Sequence, residues 1–284
     1  MNKPRFVFFG TPEFASIVLD ELEEAGLIPV LVVTAPDAPK GRKLIVTESE
    51  VSTWARTRDI PTLKPTTLSD DNFAKELASY NANLFVVAAY GKIIPKPILE
   101  IPEKGALNVH PSLLPLFRGA TPIESAILSN ETHTGVTIIL LDDKMDHGPV
   151  VAQRERIINS WPPKVGELTR DLAHFGGALL ADIIPEWMSG LRAYPQDHTR
   201  ATFTKKILKD DGLIDIKGDA HQNYKKICAF ENAHFFISHK ERRIRVRITD
   251  AVFENGLLTI QRVIPEGKKE MSYADFVRGL QGPQ

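Results

Sequence analysis

The stretch "RFVFFGTPEFASIVLDELEEAGLIPVLVVTAP", residues 5–36, decides the fold class. "RFVFF" is a compact apolar run of strand type that stops at Gly10. Thr11 offers a helix cap, Pro12 suits a first helical position, and Glu13 complements the helix dipole. Phe14, Ile17, Val18 and Leu22 then recur at helical spacing until Gly26 stops the helix. "IPVLVVTAP" supplies a second buried strand. Strand, helix and strand in this order form a parallel crossover unit, the signature of an α/β body. The turn after the first strand also excludes a function. Dinucleotide binding needs a Gly-x-Gly-x-x-Gly turn that brings backbone donors against a pyrophosphate. Here Gly10 is followed by Thr-Pro-Glu, in which proline lacks a donor and glutamate opposes phosphate, so no nucleotide cofactor is expected.

Working outward, "NLFVVAAYGKIIP" and "GALNVHPSLLP" continue the set of apolar strands. "ESAILSN" reads as a short helix, and "HTGVTIILLDDKMDHGPVVAQRERII" reads as two strands around an acidic turn. Helical sequence from Gly166 to Leu191 then covers the sheet, which predicts a body ending near residue 190. Residues 192–207 are polar and are expected to form a linker. Beyond it, Ile244, Val246 and Ile248 alternate with Arg243, Arg245 and Arg247, a β pattern with one face to pack and three guanidiniums on the other. "FENGLLT" adds an Asn-Gly hairpin turn. The expected domains are therefore 1–191 and a small β-rich domain over 208–284.

A chain of 284 residues with 43% hydrophobic and 25% charged residues suits a globular protein of two domains. The single Cys228 excludes an internal disulfide framework and a thiolate zinc site. The first residues carry an apolar run of only about five, far short of the ~20 that span a bilayer, so a cytoplasmic protein with no membrane association is expected. The net charge of −1 hides an asymmetry. Residues 205–284 carry 15 of the 35 basic and 11 of the 36 acidic side chains, a net of +4 against −5 for the rest. A basic tail hints at a polyanionic partner.

The chemistry concentrates in "LNVHPSLLPLFRG", residues 107–119. Side chains alternate along a strand, so Asn108 and His110 share a face. At the carboxyl end of an α/β strand that face looks into the ligand crevice. An amide can donate to a developing oxyanion, and an imidazole can accept or release a proton. The acidic turn "DDKMDHG" offers Asp142, Asp143 and Asp146 as a carboxylate partner, with Gly148 allowing a sharp bend. Ser112 lacks the Gly-x-Ser-x-Gly elbow of a nucleophile. The turn also lacks the twelve-residue spacing of a calcium loop, and no metal is expected. An Asn-His-Asp set without a nucleophile suits direct attack of one substrate on another.

"NVHPSLLPLFRGATPIESAI" followed by "TGVTIILLDDKMDHGPVV" resembles the folate-dependent formyltransferases in the order and spacing of Asn-x-His, Ser-Leu-Leu-Pro, Arg-Gly and Asp-x-Gly. "FFGTPEFA", "TAPDAPKGRKL", "VVAAYGKIIP" and "KKILKDDGLID" are similar to the members that act on methionyl-tRNA. The resemblance covers nearly the whole chain. It implies a Rossmann-like formyltransferase domain with a mostly parallel sheet and a small C-terminal β-barrel (OB-like) domain. It implies 10-formyltetrahydrofolate as co-substrate and initiator methionyl-tRNA as acceptor, handled by a monomer. The catalytic set it implies is Asn108, His110 and Asp146. Folate contacts would come from Tyr90, Gly91, Lys92, Ile93 and Ile94, from Ser112, Leu113, Leu114 and Pro115, and from Leu140, Leu141, Asp142 and Asp143. For tRNA it implies Lys40, Arg42 and Lys43 in one basic loop, and Arg243, Arg245 and Arg247 in the second domain. The C-terminal domain is shorter than in typical members, and Cys228 stands where the family usually has arginine. Two alternative readings remain: an N-formyltransferase that acts on an amino sugar nucleotide with the same set, or a non-catalytic RNA-binding protein with a transferase-like body.

Overall fold

The computed structural model describes residues 4–40, 44–239 and 242–281. In chain order the strands are β1 (Phe6–Gly10), β2 (Leu31–Val33), β3 (Ala38–Lys40), β4 (Ile45–Thr47), β5 (Thr62–Leu63), β6 (Leu84–Ala88), β7 (Ala106–His110), β8 (Thr134–Leu140), β9 (Val150–Arg156), β10 (His234–His239), β11 (Arg242–Glu254), β12 (Leu257–Pro265) and β13 (Met271–Ser272). The helices are α1 (Glu13–Glu24), α2 (Glu50–Arg56), α3 (Asp71–Ser79), α4 (Lys96–Leu99), α5 (Pro122–Ser129), α6 (Val165–Met188), α7 (Ala220–Ala229) and α8 (Tyr273–Gln281).

Seven strands form one sheet in the order β5-β2-β1-β6-β7-β8-β9. From β5 to β7 every pairing is parallel, and β8 and β9 add antiparallel strands at the other edge. β1, β6 and β7 are buried along their whole length, as expected for parallel strands covered on both faces. Phe6, Phe8, Phe9 and Phe85 supply the largest fully buried side chains of this core. β7 therefore lies between a parallel and an antiparallel neighbour, with its carboxyl end at the switch in pairing.

One local expectation fails. α1 begins after Pro12 with no side-chain cap. The Thr11 hydroxyl is spent on tertiary bonds instead, donating to the Tyr90 carbonyl and accepting from the Ala35 N–H, both at 3.4 Å. A hydroxyl that ties three strand ends together is not available to the helix start.

The chain divides into two compact units that interleave in sequence rather than separating at 192–207. The first comprises residues 1–120, 133–157 and 169–204; the second comprises 121–132, 158–168 and 205–284. The stretch 192–204 thus packs as part of the first unit. In the second unit β10, β11, β12 and β13 form an antiparallel sheet in that order, consistent with a small barrel. Val246 and Ile248 are buried on one face of β11, as their alternation predicts. Asn255 and Gly256 both have positive φ between β11 and β12, which is the two-residue hairpin read from "FENGLLT". α5 packs on α7 within this unit.

Candidate active site

Asn108 and His110 lie two residues apart on β7, and both are buried. The backbone around them is held on both sides: Asn108 pairs with Val87 of β6 and Ile139 of β8, and His110 pairs with Thr137. His110 Nε2 lies 3.0 Å from the Phe117 carbonyl. A carbonyl only accepts, so Nε2 carries a proton, and this tautomer follows from the bond. Nδ1 then faces Asp146 Oδ1 at 3.6 Å. The other Asp146 oxygen accepts the Gly119 N–H at 2.8 Å. Among the described residues no side chain or backbone group hydrogen-bonds the Asn108 amide. The site thus offers an uncommitted amide donor next to an imidazole–carboxylate pair at the end of one strand.

Asp146 has a left-handed backbone, with φ of 48°, in the tight turn joining β8 to β9. Gly148 makes the turn possible: a Cβ built there would sit 1.8 Å from the Leu140 carbonyl oxygen. The Leu140 N–H bonds the Pro149 carbonyl at 2.9 Å and closes the loop at its base. This is the physical reason for the glycine in the Asp-x-Gly motif.

The three segments implied for folate converge. Tyr90 and Ile94 belong to one buried cluster, Leu114 to another with Ile139 and Val150, and Leu141 packs against both. The Ser112–Pro115 turn is fixed from β8 and β9. Thr137 Oγ1 donates to the Ser112 carbonyl at 2.6 Å and accepts from the Leu114 N–H at 3.1 Å. Gln153 Nε2 donates to the Leu114 carbonyl at 2.8 Å. Ser112 Oγ donates to the Leu116 carbonyl, so this hydroxyl serves the turn. Gly91 has a positive φ and open space where a Cβ would stand. Ile93 is exposed, and Lys92 is tied to the carbonyls of Pro65 and Thr66. Asp142 is engaged by His147 Nδ1 at 2.6 Å, whereas Asp143 is exposed. The Tyr90 hydroxyl is buried with no hydrogen-bond partner among the described residues, and burial pushes the phenol up to about 12. A buried orphan hydroxyl at the rim of a site fits a polar ligand edge better than empty space.

Arg118, the arginine of the Arg-Gly motif, joins the site together with three residues not singled out by the sequence, Gln196, His147 and His198. Arg118 is 3% exposed and Gln196 7% exposed, and they are hydrogen-bonded to each other. His147 and His198 stack with ring centroids 4.1 Å apart. Desolvation holds His198 below the usual histidine range, helped by His147 and by the Arg118 guanidinium. Gln196 and His198 fall in the stretch expected as a linker. Their polar composition masked a packed segment.

The basic residues implied for tRNA fall in two separate parts of the sequence. Lys40 ends β3, and its side chain, together with Arg42 and Lys43, falls outside the described residues. In the second unit Arg243, Arg245 and Arg247 face the same side of the sheet as their partners Ser238, Phe236 and His234. The Arg243 guanidinium lies 3.9 Å from the Phe236 ring centroid, and Arg245 reaches His234 Nδ1 at 3.2 Å. Cys228 is buried, and desolvation pushes its thiol up, which suits a packing role. Among the described residues no cluster of three metal-ligating side chains occurs, and no helix is long and apolar enough to cross a membrane.

Comparison with known proteins supplies the family. The Formyl transferase domain family matches residues 4–184. A methionyl-tRNA formyltransferase of Chloroflexus aggregans is 45% identical over 307 residues, covering 99% of this chain and 98% of that protein. The fold is shared with HypX of Aquifex aeolicus, solved in complex with tetrahydrofolic acid, at a TM-score of 0.66 and 14% identity over 99% of this chain and 48% of that one. It is shared as well with an N-formyltransferase of Helicobacter canadensis, solved with folinic acid and dTDP-3-aminofucose, at a TM-score of 0.64 and 15% identity over 95% of this chain and 98% of that one. The mostly parallel sheet, the domain match and near-complete coverage of a close relative make this enzyme a member of the methionyl-tRNA formyltransferase family.

Proposed function

We propose that the chain transfers the formyl group of 10-formyltetrahydrofolate to the free amino group of methionyl-initiator-tRNA by direct amine attack. One observation carries the reading: an uncommitted Asn108 amide beside the His110–Asp146 pair, in a fold of this family. The co-substrate supplies an activated formyl carbon, and this chain's residues do the rest. Asn108 donates to the formyl oxygen as it gains charge, the role of an oxyanion-hole donor. His110 takes the proton that the amine loses as the new C–N bond forms. Asp146 faces the resulting imidazolium, takes up its Nδ1 proton and passes it toward the departing folate nitrogen as the old C–N bond breaks, leaving imidazole and carboxylate as they began. Leu113 and Leu114 offer apolar surface to the pterin, and backbone groups of 90–94 and 140–143 offer donors and acceptors to its edge. The Tyr90 hydroxyl is a further candidate contact, because it has no partner of its own.

Lys40, Arg42 and Lys43 would meet acceptor-stem phosphates, and Arg243, Arg245 and Arg247 would add an electrostatic footprint from the second unit. Work on initiator tRNA would put the enzyme in the compartment of translation, the cytoplasm in a bacterium. The likeness in fold to an N-formyltransferase solved with an amino sugar nucleotide supplies the second reading. Single-turnover formylation with purified methionyl-tRNA and a panel of amino sugar nucleotides separates the two. Formyl-methionyl-tRNA as the product supports the proposal, and formylation of a sugar alone refutes it. No transfer to any acceptor would leave the non-catalytic reading.

A further inference from the structure

We propose that Gln196 is a positioning residue for formyl transfer, holding Asp146 in the orientation that faces His110; this rests on the catalytic roles proposed above. The Gln196 amide uses its whole hydrogen-bonding capacity. Its Oε1 accepts from Arg118 Nε at 3.2 Å and Nη2 at 2.7 Å. Its Nε2 donates to the Asp146 carbonyl at 2.9 Å and to the Gly148 carbonyl at 2.7 Å. The reverse amide orientation would set NH2 against a guanidinium and oxygen against two carbonyls, so the chemistry admits one arrangement. The two carbonyls flank the turn in which Asp146 holds its left-handed φ. Arg118 immediately precedes Gly119, whose N–H donates to the Asp146 carboxylate. One amide therefore fixes Asp146 from its backbone, through the turn, and from its side chain, through Arg118.

The same segment reaches the other contact of His110. Thr202 Oγ1 accepts the Phe117 N–H at 2.8 Å, and the Phe117 carbonyl is the partner of His110 Nε2. The Thr202 carbonyl accepts the Arg118 N–H, and the Thr204 N–H donates to the Arg118 carbonyl. Both partners of the imidazole are thus set by two side chains of this segment, Gln196 and Thr202. Among the described residues the side-chain partners of Arg118 are Gln196, His198 Nδ1 at 2.8 Å and the Phe203 ring. An amide, unlike a carboxylate, satisfies this buried cation while still donating to the turn.

That distinction defines the test. Gln196→Glu keeps acceptors for Arg118 but turns lone pairs toward the two carbonyls; Gln196→Met keeps the volume and removes all four bonds. Both should lower kcat about 10²-fold, the cost of misplacing a catalytic group by about 1 Å, with KM for both substrates within about twofold of wild type. Asp197→Ala, which removes the cap of the neighbouring turn formed with Thr199, serves as the control for general loosening and should keep wild-type kcat. A readout that needs no turnover accompanies the kinetics: the imidazole ¹⁵N shifts of His110, assigned with His110→Gln. Nδ1 should shift in both Gln196 variants and stay in place in Asp197→Ala. A folded Gln196→Glu with wild-type kcat, a loss confined to KM, or unchanged His110 shifts would overturn the proposal. If the wild-type chain formylates no acceptor, the catalytic reading falls, and the His110 shifts alone decide whether Gln196 sets the pair.

Discussion

Replacing Gly148 by alanine places a methyl carbon where the Leu140 carbonyl oxygen already lies, 1.8 Å away, with the Leu140 carbonyl carbon at 3.0 Å and the Asp142 nitrogen at 3.4 Å. Real Cβ atoms essentially never come within 3.0 Å of a neighbour, so the two chains must part by at least about 1.2 Å. β8 is poorly placed to yield, because Leu140 is paired with Leu107 of β7. The movement therefore falls on the turn, which carries Asp146 two residues away. If it is transmitted outward, Asp146 Oδ1 moves from 3.6 Å to about 4.8 Å from His110 Nδ1. At an effective dielectric of about 20, the attraction between carboxylate and imidazolium then weakens by about 1 kcal/mol. Loss of alignment adds more, and a shift of about 1 Å is worth roughly 10²-fold in rate. Gly148→Ala should thus lower single-turnover formyl transfer by about 10²-fold and cost about 1–3 kcal/mol of stability in urea titration. A variant with wild-type rate and unfolding midpoint would refute the argument, since the methyl group would have found space that the turn does not provide.

Other expectations follow from single contacts. Asp146→Asn should bind the formyl donor as wild type does, in a fluorescence titration, while transfer falls by about 10² to 10⁴-fold. Tyr90→Phe removes a buried hydroxyl with no partner, so urea denaturation without ligand should show a gain of about 1 kcal/mol, while the donor Kd rises. The Tyr90 phenol is pushed from 10.0 to about 12 by burial, so the folded chain holds this proton longer than the unfolded chain. Its contribution is full below pH 10 and is lost as pH climbs toward 12, and denaturation midpoints over that window should fall less steeply in Tyr90→Phe. Replacing Arg243, Arg245 and Arg247 together by glutamine should weaken tRNA binding and reduce the slope of log K against log salt by about one per lost phosphate contact. An unchanged slope would remove that face from the tRNA footprint.

Much of this was legible because the relevant signals are local and periodic. The apolar runs of β1, β6 and β7, the helical spacing in α1 and the alternation in β11 each encode burial directly. The pairing of Asn108 with His110 on one face follows from strand geometry alone. Asp146 was reachable through the motif resemblance, because the turn that bears it has a glycine dictated by close packing at Gly148. Residues 192–204 gave no such signal. Gln196, Thr202 and Thr204 hydrogen-bond Asp146, Phe117 and Arg118, far away in sequence, and such bonds leave no period. Thr11 shows the opposite error: its local setting favours a helix cap, and tertiary bonds to Tyr90 and Ala35 prevail.

The interleaving of the two units constrains how the chain can be recombined. Ile123 and Ile127 of α5 are buried, and α5 packs on α7, although nearly a hundred residues of sequence separate the two helices. A hybrid made by exchanging residues 205–284 alone would join a foreign α7 to a native α5 whose apolar face was shaped for another partner. Transplanting the second unit intact requires five junctions, because the segments 121–132 and 158–168 must move as well. The second unit is therefore not a cassette appended to a finished catalyst, and drift in the tail has to be matched by substitutions embedded within the transferase stretch.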